Sequence, residues 1–399
     1  MKKQKSRGRL LLAVYFTLMM ILLGCSDALR GVFLPSFRET FSLTETQSSM
    51  IIMMSYTGNL FFLFIGGYFL DKCKKKSFVL TVSLIWMLAL LVYTFTENYA
   101  VLLISMFFSL GASTMLSTSI NVITPLAFMS PALLLNVFSF TQSLGITGAQ
   151  NIGGRFADTI KGWHVINLIL FIAAVIALIM LFFTDMEPNG STLSTAEKSS
   201  SSYIDIIKNP ACIYLVIICG AYYISEHGLQ NWMVSYCNTY LGFSVKTGSL
   251  WLSVFYGLMT AGKLIFAPLV QKIGALKTLF ISSAFAAVFY VSGILLESKG
   301  IVLIGISGLG FSVLWPMFIY LIESCYPPNQ NGRAVGFITG IATLFDIGLN
   351  AGFGAVVERM GYRFSMRILA SGIVIFVITL LVFSQKRKHM YIQNIYIRH

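Results

Sequence analysis

An acidic and a basic residue stand close together in a stretch that is otherwise apolar. Asp27 and Arg30 interrupt the segment Leu22–Pro35, which reads LLGCSDALRGVFLP. Because they are three residues apart, a helix would place them on one face and within reach of each other. Burial disfavours a charged carboxylate, and a nearby cation favours it. Asp27 is therefore a candidate proton site that gains or loses Arg30 as a partner; the alternative is a permanent ion pair that only fixes helix packing.

A second acid lies in a similar setting 199 residues later, where Glu226 follows a serine as Asp27 does. The residues of this segment that we expect to contact a solute are Tyr222, Glu226, Gln230, Asn231 and Trp232. They combine hydrogen-bonding groups with aromatic faces, and both are needed to hold a sugar. The alternative is that some of them form hydrogen bonds between helices, which are common in membrane bundles.

Further polar residues stand inside apolar segments and are candidates for the same solute or proton pathway. They are Asn121, Gln142, Lys263 and Asp346. Lys263 would be a buried cation, and Glu226 and Asp346 are both possible partners for it. The sequence does not choose between these two acids.

The composition places these residues in a membrane protein. The chain has 399 residues, of which 56% are hydrophobic and 11% charged, and its mean hydropathy is +0.79. Soluble domains carry about 25% charged residues. Charge-free intervals long enough to cross a bilayer recur along the chain, and they predict twelve transmembrane helices in an all-α fold.

The placement of lysine and arginine predicts the orientation of these helices. Of the 28 basic residues, 18 fall in one set of loops and tails, 7 in the opposite set and 3 inside predicted helices. The richer set is expected on the cytoplasmic side, together with both termini. Topology and anionic lipid explain the net charge of +13, so no nucleic-acid partner is required.

A polar, serine-rich segment at 185–208 divides the chain into residues 1–184 and 209–399, predicted as two six-helix bundles joined by a cytoplasmic linker. The halves share short motifs in the same order. Ser26-Asp27 returns as Ser225-Glu226, and GYFLDKCKKK at Gly67–Lys76 returns as APLVQKIGALK at Ala267–Lys277. Two parallel repeats are the plan of a rocking transporter that binds its solute near the membrane midplane.

The segment GGYFLDKCKKKS at Gly66–Ser77 resembles the loop signature of the major facilitator superfamily. This resemblance implies a major facilitator fold and a gating role for the motif residues Gly67, Asp71, Lys72 and Lys76. The alternative is that the clustered lysines only set the topology.

Four other segments resemble the fucose–galactose–glucose:proton symporters. They are LPSFRETFSLTETQ at 34–47, LNVFSFTQSLG at 135–145, YYISEHGLQNWMVSY at 222–236 and AGKLIFAPLVQKIGALK at 261–277. The resemblance implies proton-coupled uptake of a sugar. Asn121 matches an asparagine of that family, whereas Ser117 stands where the family has a glutamate.

The expected function is therefore secondary active transport of a sugar or similar small polar solute, coupled to protons, by a monomer in a bacterial cell membrane. One alternative is a proton-driven exporter of drugs or metabolites, for which 33 phenylalanines and 18 methionines would suit an apolar pocket. Another is a transporter-like sensor that binds solute without moving it. No P-loop, hydrolytic triad, metal-ligand spacing or cofactor motif is found in the sequence, so an enzyme is not expected.

Overall fold

A computed structural model describes the backbone of residues 2–184, 186, 203–327 and 330–396. Within those ranges, only the backbone is described for residues 2–7, 71, 132, 267, 269, 271 and 387–396. The described residues form helices and connecting segments, with no strand among them. The predicted linker at 185–208 falls largely outside the described residues, and its last six residues form a short helix.

Seven helices lie between residues 2 and 182. They are α1 (Lys2–Val32), α2 (Leu34–Thr40), α3 (Glu45–Lys72), α4 (Lys75–Phe95), α5 (Tyr99–Ala127), α6 (Pro131–Gly153) and α7 (Ile160–Phe182). Pro35 stands in the first turn of α2, where a helix requires no backbone donor. Residues 128–130 form the short connection from α5 to α6.

Seven more helices follow in the second half. They are α8 (Tyr203–Lys208), α9 (Ala211–Ser235), α10 (Val245–Ile273), α11 (Ala275–Leu295), α12 (Ile301–Phe311), α13 (Leu314–Glu323) and α14 (Asn331–Tyr396). A π-helical turn over Tyr236–Tyr240 extends α9, and a 3₁₀ turn over Glu297–Gly300 precedes α12.

Ten segments of the described chain are long and apolar enough to cross a membrane. That number counts α14 once, although Gly361 breaks it with a φ of 76°, a conformation that glycine adopts without strain. It also leaves out α6, which has the length of a span. Counting α14 as two helices and adding α6 gives twelve, the predicted number.

Polar caps explain where two of the spans begin. Thr44 accepts a hydrogen bond from the backbone of Gln47, and the Gln47 side chain accepts one from the backbone of Thr44. Asn98 accepts from the first two residues after Tyr99 at the start of α5. Such caps satisfy backbone donors that the first helical turn leaves unpaired, so each span starts at a defined residue.

The chain divides into two compact units by its internal contacts. Unit 1 comprises 1–195 with 230–257 and 350–361, and unit 2 comprises 196–229 with 258–349 and 362–399. Parts of α9, α10 and α14 therefore group with the first half of the chain. The predicted division into two six-helix bundles stays a prediction.

Close backbone contacts hold α1 in unit 1. A Cβ atom at Gly24 would lie 2.3 Å from the carbonyl oxygen of Gln142, and one at Gly145 would lie 2.3 Å from that of Ile21. Glycines at these positions let α1 and α6 touch along their backbones, as small residues do in membrane bundles. In unit 2, α11 packs against α12 and α13.

Candidate functional site

Asp27 is held in unit 1 by a serine on a neighbouring helix. The Ser113 hydroxyl, on α5, lies 2.9 and 3.1 Å from the two carboxylate oxygens of Asp27 on α1. Asp27 is half-buried, and Ser113 is buried. A hydroxyl that donates to a carboxylate stabilises its ionised form. Proton binding by Asp27 would therefore be sensitive to how α1 packs against α5.

Arg30 lies one turn further along α1 and is only 5% exposed. Its guanidinium carbon lies 5.2 Å from the centre of the Tyr56 ring, a cation–π contact. Among the described residues, no carboxylate pairs with it within 4.0 Å, and its Nε has no hydrogen-bond partner. The ion pair with Asp27 that the spacing made possible is not formed in this structure.

A second set of contacts fixes α1 against α4 and α7. The hydroxyls of Ser26 and Tyr93 lie 3.4 Å apart, and the Tyr93 hydroxyl donates to Asn167 at 3.3 Å. The Trp163 indole donates to the Tyr93 carbonyl at 3.2 Å. Sequence reasoning missed Tyr93, Trp163, Asn167 and Ser113, although polar side chains within apolar spans were a usable signal. The network fixes the rotation of α1 that presents Asp27 to Ser113.

Three titratable side chains meet in unit 2 and are called here the acid–histidine cluster: Glu226, His227 and Asp346. The His227 Nδ1 lies 2.6 Å from an Asp346 oxygen, and its Nε2 lies 3.3 Å from a Glu226 oxygen. The side chains of Glu226 and Asp346 are 7% and 1% exposed. One imidazole therefore bridges two buried carboxylates from α9 and α14, an arrangement that can gain and lose protons.

Aromatic rings and a lysine surround this cluster. The Tyr223 ring stacks on His227 with centroids 4.4 Å apart, and Trp315 stacks on Tyr223 at 5.8 Å. Tyr222 is buried and also contacts Trp315. Lys263 on α10 interacts electrostatically with Glu226, one of its two predicted partners. The rings limit water around the acids, which strengthens the interactions among these charges.

The remaining α9 candidates lie in unit 1 and contact protein groups. The Tyr256 hydroxyl donates to Gln230 at 3.1 Å, and the Asn231 amide donates to Tyr56 at 3.2 Å. Trp232 is fully buried, with its indole donating to Asn350 at 3.3 Å. Gln230, Asn231 and Trp232 thus each contact protein groups of unit 1, and the Trp232 ring lies in a packed core.

The other predicted residues are dispersed over the helices. Gln142 is half-buried on α6, and Asn121 is exposed on α5.

In the loop motif, the Lys76 ammonium donates to the carbonyls of Phe182 and Thr184 at 2.9 and 3.0 Å. These carbonyls lie at the C-terminal end of α7, where the helix dipole favours a cation. Lys72 is exposed over the Tyr68 ring, and a Cβ at Gly67 would meet open space. The side chain of Asp71 lies outside the description. The gating role of this motif stays a prediction.

A family model described as the Major Facilitator Superfamily matches residues 16–348. By sequence, the cis,cis-muconate transport protein of Acinetobacter baylyi is 22% identical over 346 residues, which are 82% of this chain and 82% of that protein.

Two solved structures share the fold. A D-xylose–proton symporter is 14% identical, with a TM-score of 0.78 over 93% of this chain and 96% of its own. The E. coli fucose–proton symporter FucP is 14% identical, with a TM-score of 0.64 over 94% and 99%. At these identities the likeness shows the fold alone. The family match spans most of the chain, and the helices have the matching fold, so this chain belongs to the Major Facilitator Superfamily: it is a multi-pass membrane protein that transports small solutes and is not an enzyme.

Proposed function

We propose that the chain is a proton-coupled secondary transporter that takes up a sugar or a similar small polar solute by alternating access. The observation that carries this proposal is His227 between the buried carboxylates of Glu226 and Asp346. Buried acids inside a membrane bundle are costly, and they commonly mark proton or solute pathways.

The charges of the acid–histidine cluster explain why it suits proton exchange. With both acids ionised and His227 protonated, the three side chains carry one net negative charge, and Lys263 offsets it. Gain or loss of one proton then changes the charge balance of a buried site. A helix movement that separates α9 from α14 would change proton affinity, and this links the proton to the conformational cycle.

Two observations bear on the solute. The hydroxyl, amide and aromatic groups of α9 suit a sugar, which is the class that the sequence favours. Separately, the muconate transport protein carries an organic acid by its name, and a buried arginine suits a carboxylate. Both classes are small and polar, so both belong in the first uptake panel.

The surroundings of the transporter follow from the same argument. We place it as a monomer in a bacterial cell membrane with both termini in the cytoplasm, because the basic loops require that orientation. On this orientation, Asp71, Lys72 and Lys76 lie on the cytoplasmic side, where they would gate access to the solute.

The test is uptake into proteoliposomes of labelled fucose, galactose, glucose, mannose, D-glucuronate and cis,cis-muconate, with and without an inward proton gradient. Asp27→Asn and Glu226→Gln are measured beside Glu323→Gln, a matched control at an exposed acid where α13 ends. We expect one solute to accumulate only with the gradient, and Glu226→Gln to abolish that accumulation while Glu323→Gln retains it.

The same assay separates the alternatives. Accumulation that is independent of the gradient would overturn the proton coupling. Saturable binding without flux would indicate a sensor. Gradient-driven extrusion of drugs with no uptake of the panel would indicate an exporter.

A further inference from the structure

Buried polar atoms without hydrogen-bond partners are concentrated in one part of unit 1. Of the ten such side-chain atoms among the described residues, five belong to four residues: Arg30, Gln150, Asn231 and Ser249. Both polar atoms of the Gln150 side chain are unpartnered, and the residue is fully buried. Buried polar groups in native proteins are nearly always hydrogen-bonded, so such a concentration requires an explanation.

These four residues lie on four helices that touch one another. A Cβ at Gly31 would lie 2.2 Å from the Gln230 carbonyl oxygen and 3.1 Å from the Asn231 Cα, so α1 and α9 are in backbone contact beside Arg30. A Cβ at Gly154, one turn after Gln150 on α6, would lie 2.2 Å from the Ser249 Cβ on α10.

Further contacts complete the neighbourhood. A Cβ at Gly153 on α6 would lie 2.6 Å from the Leu29 side chain, next to Arg30 on α1. Tyr56 contacts both Arg30 and Asn231. We call Arg30, Gln150 and Asn231 the arginine site.

The unpartnered atoms define the chemistry of a ligand. The Arg30 Nε–H can only donate, and a buried guanidinium is best matched by a carboxylate. The Asn231 Oδ1 can only accept, and Gln150 offers both donors and an acceptor. Their partner must therefore combine an anionic acceptor with hydroxyl groups that both donate and accept. A neutral sugar lacks the anion, and a plain dicarboxylate lacks the hydroxyls.

We propose that the arginine site binds a hydroxylated organic acid, with Arg30 holding its carboxylate and Gln150 and Asn231 holding its hydroxyls. This proposal rests on the proposed function, because it names the class of the transported solute. It also gives Asp27 a role in coupling. When the solute carboxylate neutralises Arg30, the nearby Asp27 loses the electrostatic support of that cation and takes up a proton more readily.

The experiment is thermal unfolding of the purified full-length protein, titrated with D-glucuronate, D-gluconate and lactate, and with D-glucose as the neutral counterpart of glucuronate. A ligand that binds the folded state raises the melting temperature with its concentration. We expect one or more acids to stabilise the protein and glucose to have no effect. Arg30→Gln should weaken binding of the acid by about tenfold or more, since a charge-assisted bidentate contact is lost.

Two further variants keep the test decisive. Arg155→Gln removes an exposed arginine beyond the end of α6 and should bind as wild type. Gln150→Glu keeps the side-chain size but sets a carboxylate against the solute carboxylate, so it should weaken binding even if Arg30→Gln does not fold.

The proposal is overturned if no acid stabilises the protein, if glucose stabilises it equally, or if Arg30→Gln and Gln150→Glu bind the acid as wild type does. Uptake in proteoliposomes distinguishes a failure of this proposal from a failure of the proposed function. Arg30-dependent binding without gradient-driven uptake would refute proton-coupled transport and leave the site standing. Gradient-driven uptake of a neutral sugar that survives Arg30→Gln would support proton-coupled transport and refute the arginine site.

Discussion

The acid–histidine cluster in unit 2 and the arginine site in unit 1 begin from matching sequence motifs and differ in how their charges are balanced. Ser225-Glu226 leads to a histidine bridging two carboxylates at 2.6 and 3.3 Å. Ser26-Asp27 leads to a carboxylate that accepts from Ser113 and to an arginine that no described carboxylate contacts. The first arrangement places a histidine between two acids, and the second leaves the Arg30 guanidinium without a carboxylate partner among the described residues.

This difference suggests different roles for the two sites. A cluster whose members neutralise one another suits exchange of a proton, because the smallest possible charge change has a large effect there. A buried, unpaired cation suits a charged solute, because the solute supplies the missing counter-charge.

The largest effect is expected for His227→Gln. Without the imidazole, Glu226 and Asp346 become two buried acids of like charge, so one of them should keep a proton throughout the cycle. Gradient-driven accumulation should fall by about a hundredfold or more, in line with the cost of breaking a buried ion pair. Solute counterflow, which requires no net proton movement, should persist. His164→Gln on α7 is the matched control, and gradient-driven accumulation in His227→Gln equal to that of wild type would refute the coupling role.

The next effect is expected for Gly31→Val beside the arginine site. The added Cβ would lie 2.2 Å from the Gln230 carbonyl oxygen, so α1 and α9 must separate. Overpacking of this kind costs about 1–3 kcal/mol, which should lower the melting temperature and weaken binding of an acid. Gly148→Val on α6 serves as the control, because a Cβ there meets nothing within 4 Å. Equal behaviour of the two variants would contradict the close approach of the helices.

A smaller effect is expected for Ser113→Ala, which removes the donor to Asp27. The lost bond is worth about 1–2 kcal/mol, and the ionised form of Asp27 loses that stabilisation. The pH dependence of uptake should therefore move towards higher pH, with little change in maximal rate. Ser119→Ala is the control on the same helix, since its hydroxyl bonds to the Met115 carbonyl within α5. A pH profile identical to that of wild type would exclude Asp27 from the proton pathway.

The smallest effect is expected for Glu297→Gln, which breaks the Arg363–Glu297 pair of 2.7 Å. The Arg363 side chain is 62% exposed, and pairs of this kind contribute less than about 1 kcal/mol. Melting temperature and uptake should stay close to those of wild type. A loss of uptake as large as that of His227→Gln would show that charge removal anywhere in unit 2 is damaging. The effect of His227→Gln could then not be assigned to the acid–histidine cluster.

Much of the architecture could be predicted because it depends on local properties of the chain. Runs of apolar residues of bilayer length predict the spans, and the structure agrees in their number. The superfamily resemblance is confirmed by the family match over residues 16–348. The candidate acids Asp27, Glu226 and Asp346 were found because charge in an apolar span is rare and costly.

The partners of those acids were not predictable. Asp346 was identified as a possible partner of Lys263, yet its contact at 2.6 Å is with His227. Tyr56 and Ser113 did not enter the sequence argument. Trp232 was expected to contact solute, and the structure buries it against Asn350. Periodicity specifies which residues share a helix face, and it carries no information about which helix that face meets.

The sequence by itself determined that this chain crosses a membrane in many helices, that its halves share short motifs, and that each half carries an acid inside an apolar segment. These features follow from hydropathy and from the cost of burying charge, which act residue by residue. Only the tertiary structure decided that Asp27 meets Ser113 across 86 residues and that His227 meets Asp346 across 119. Such pairs depend on how the helices pack. Packing therefore gave two similar motifs different partners: a histidine between two carboxylates in unit 2, and a serine beside a buried arginine in unit 1.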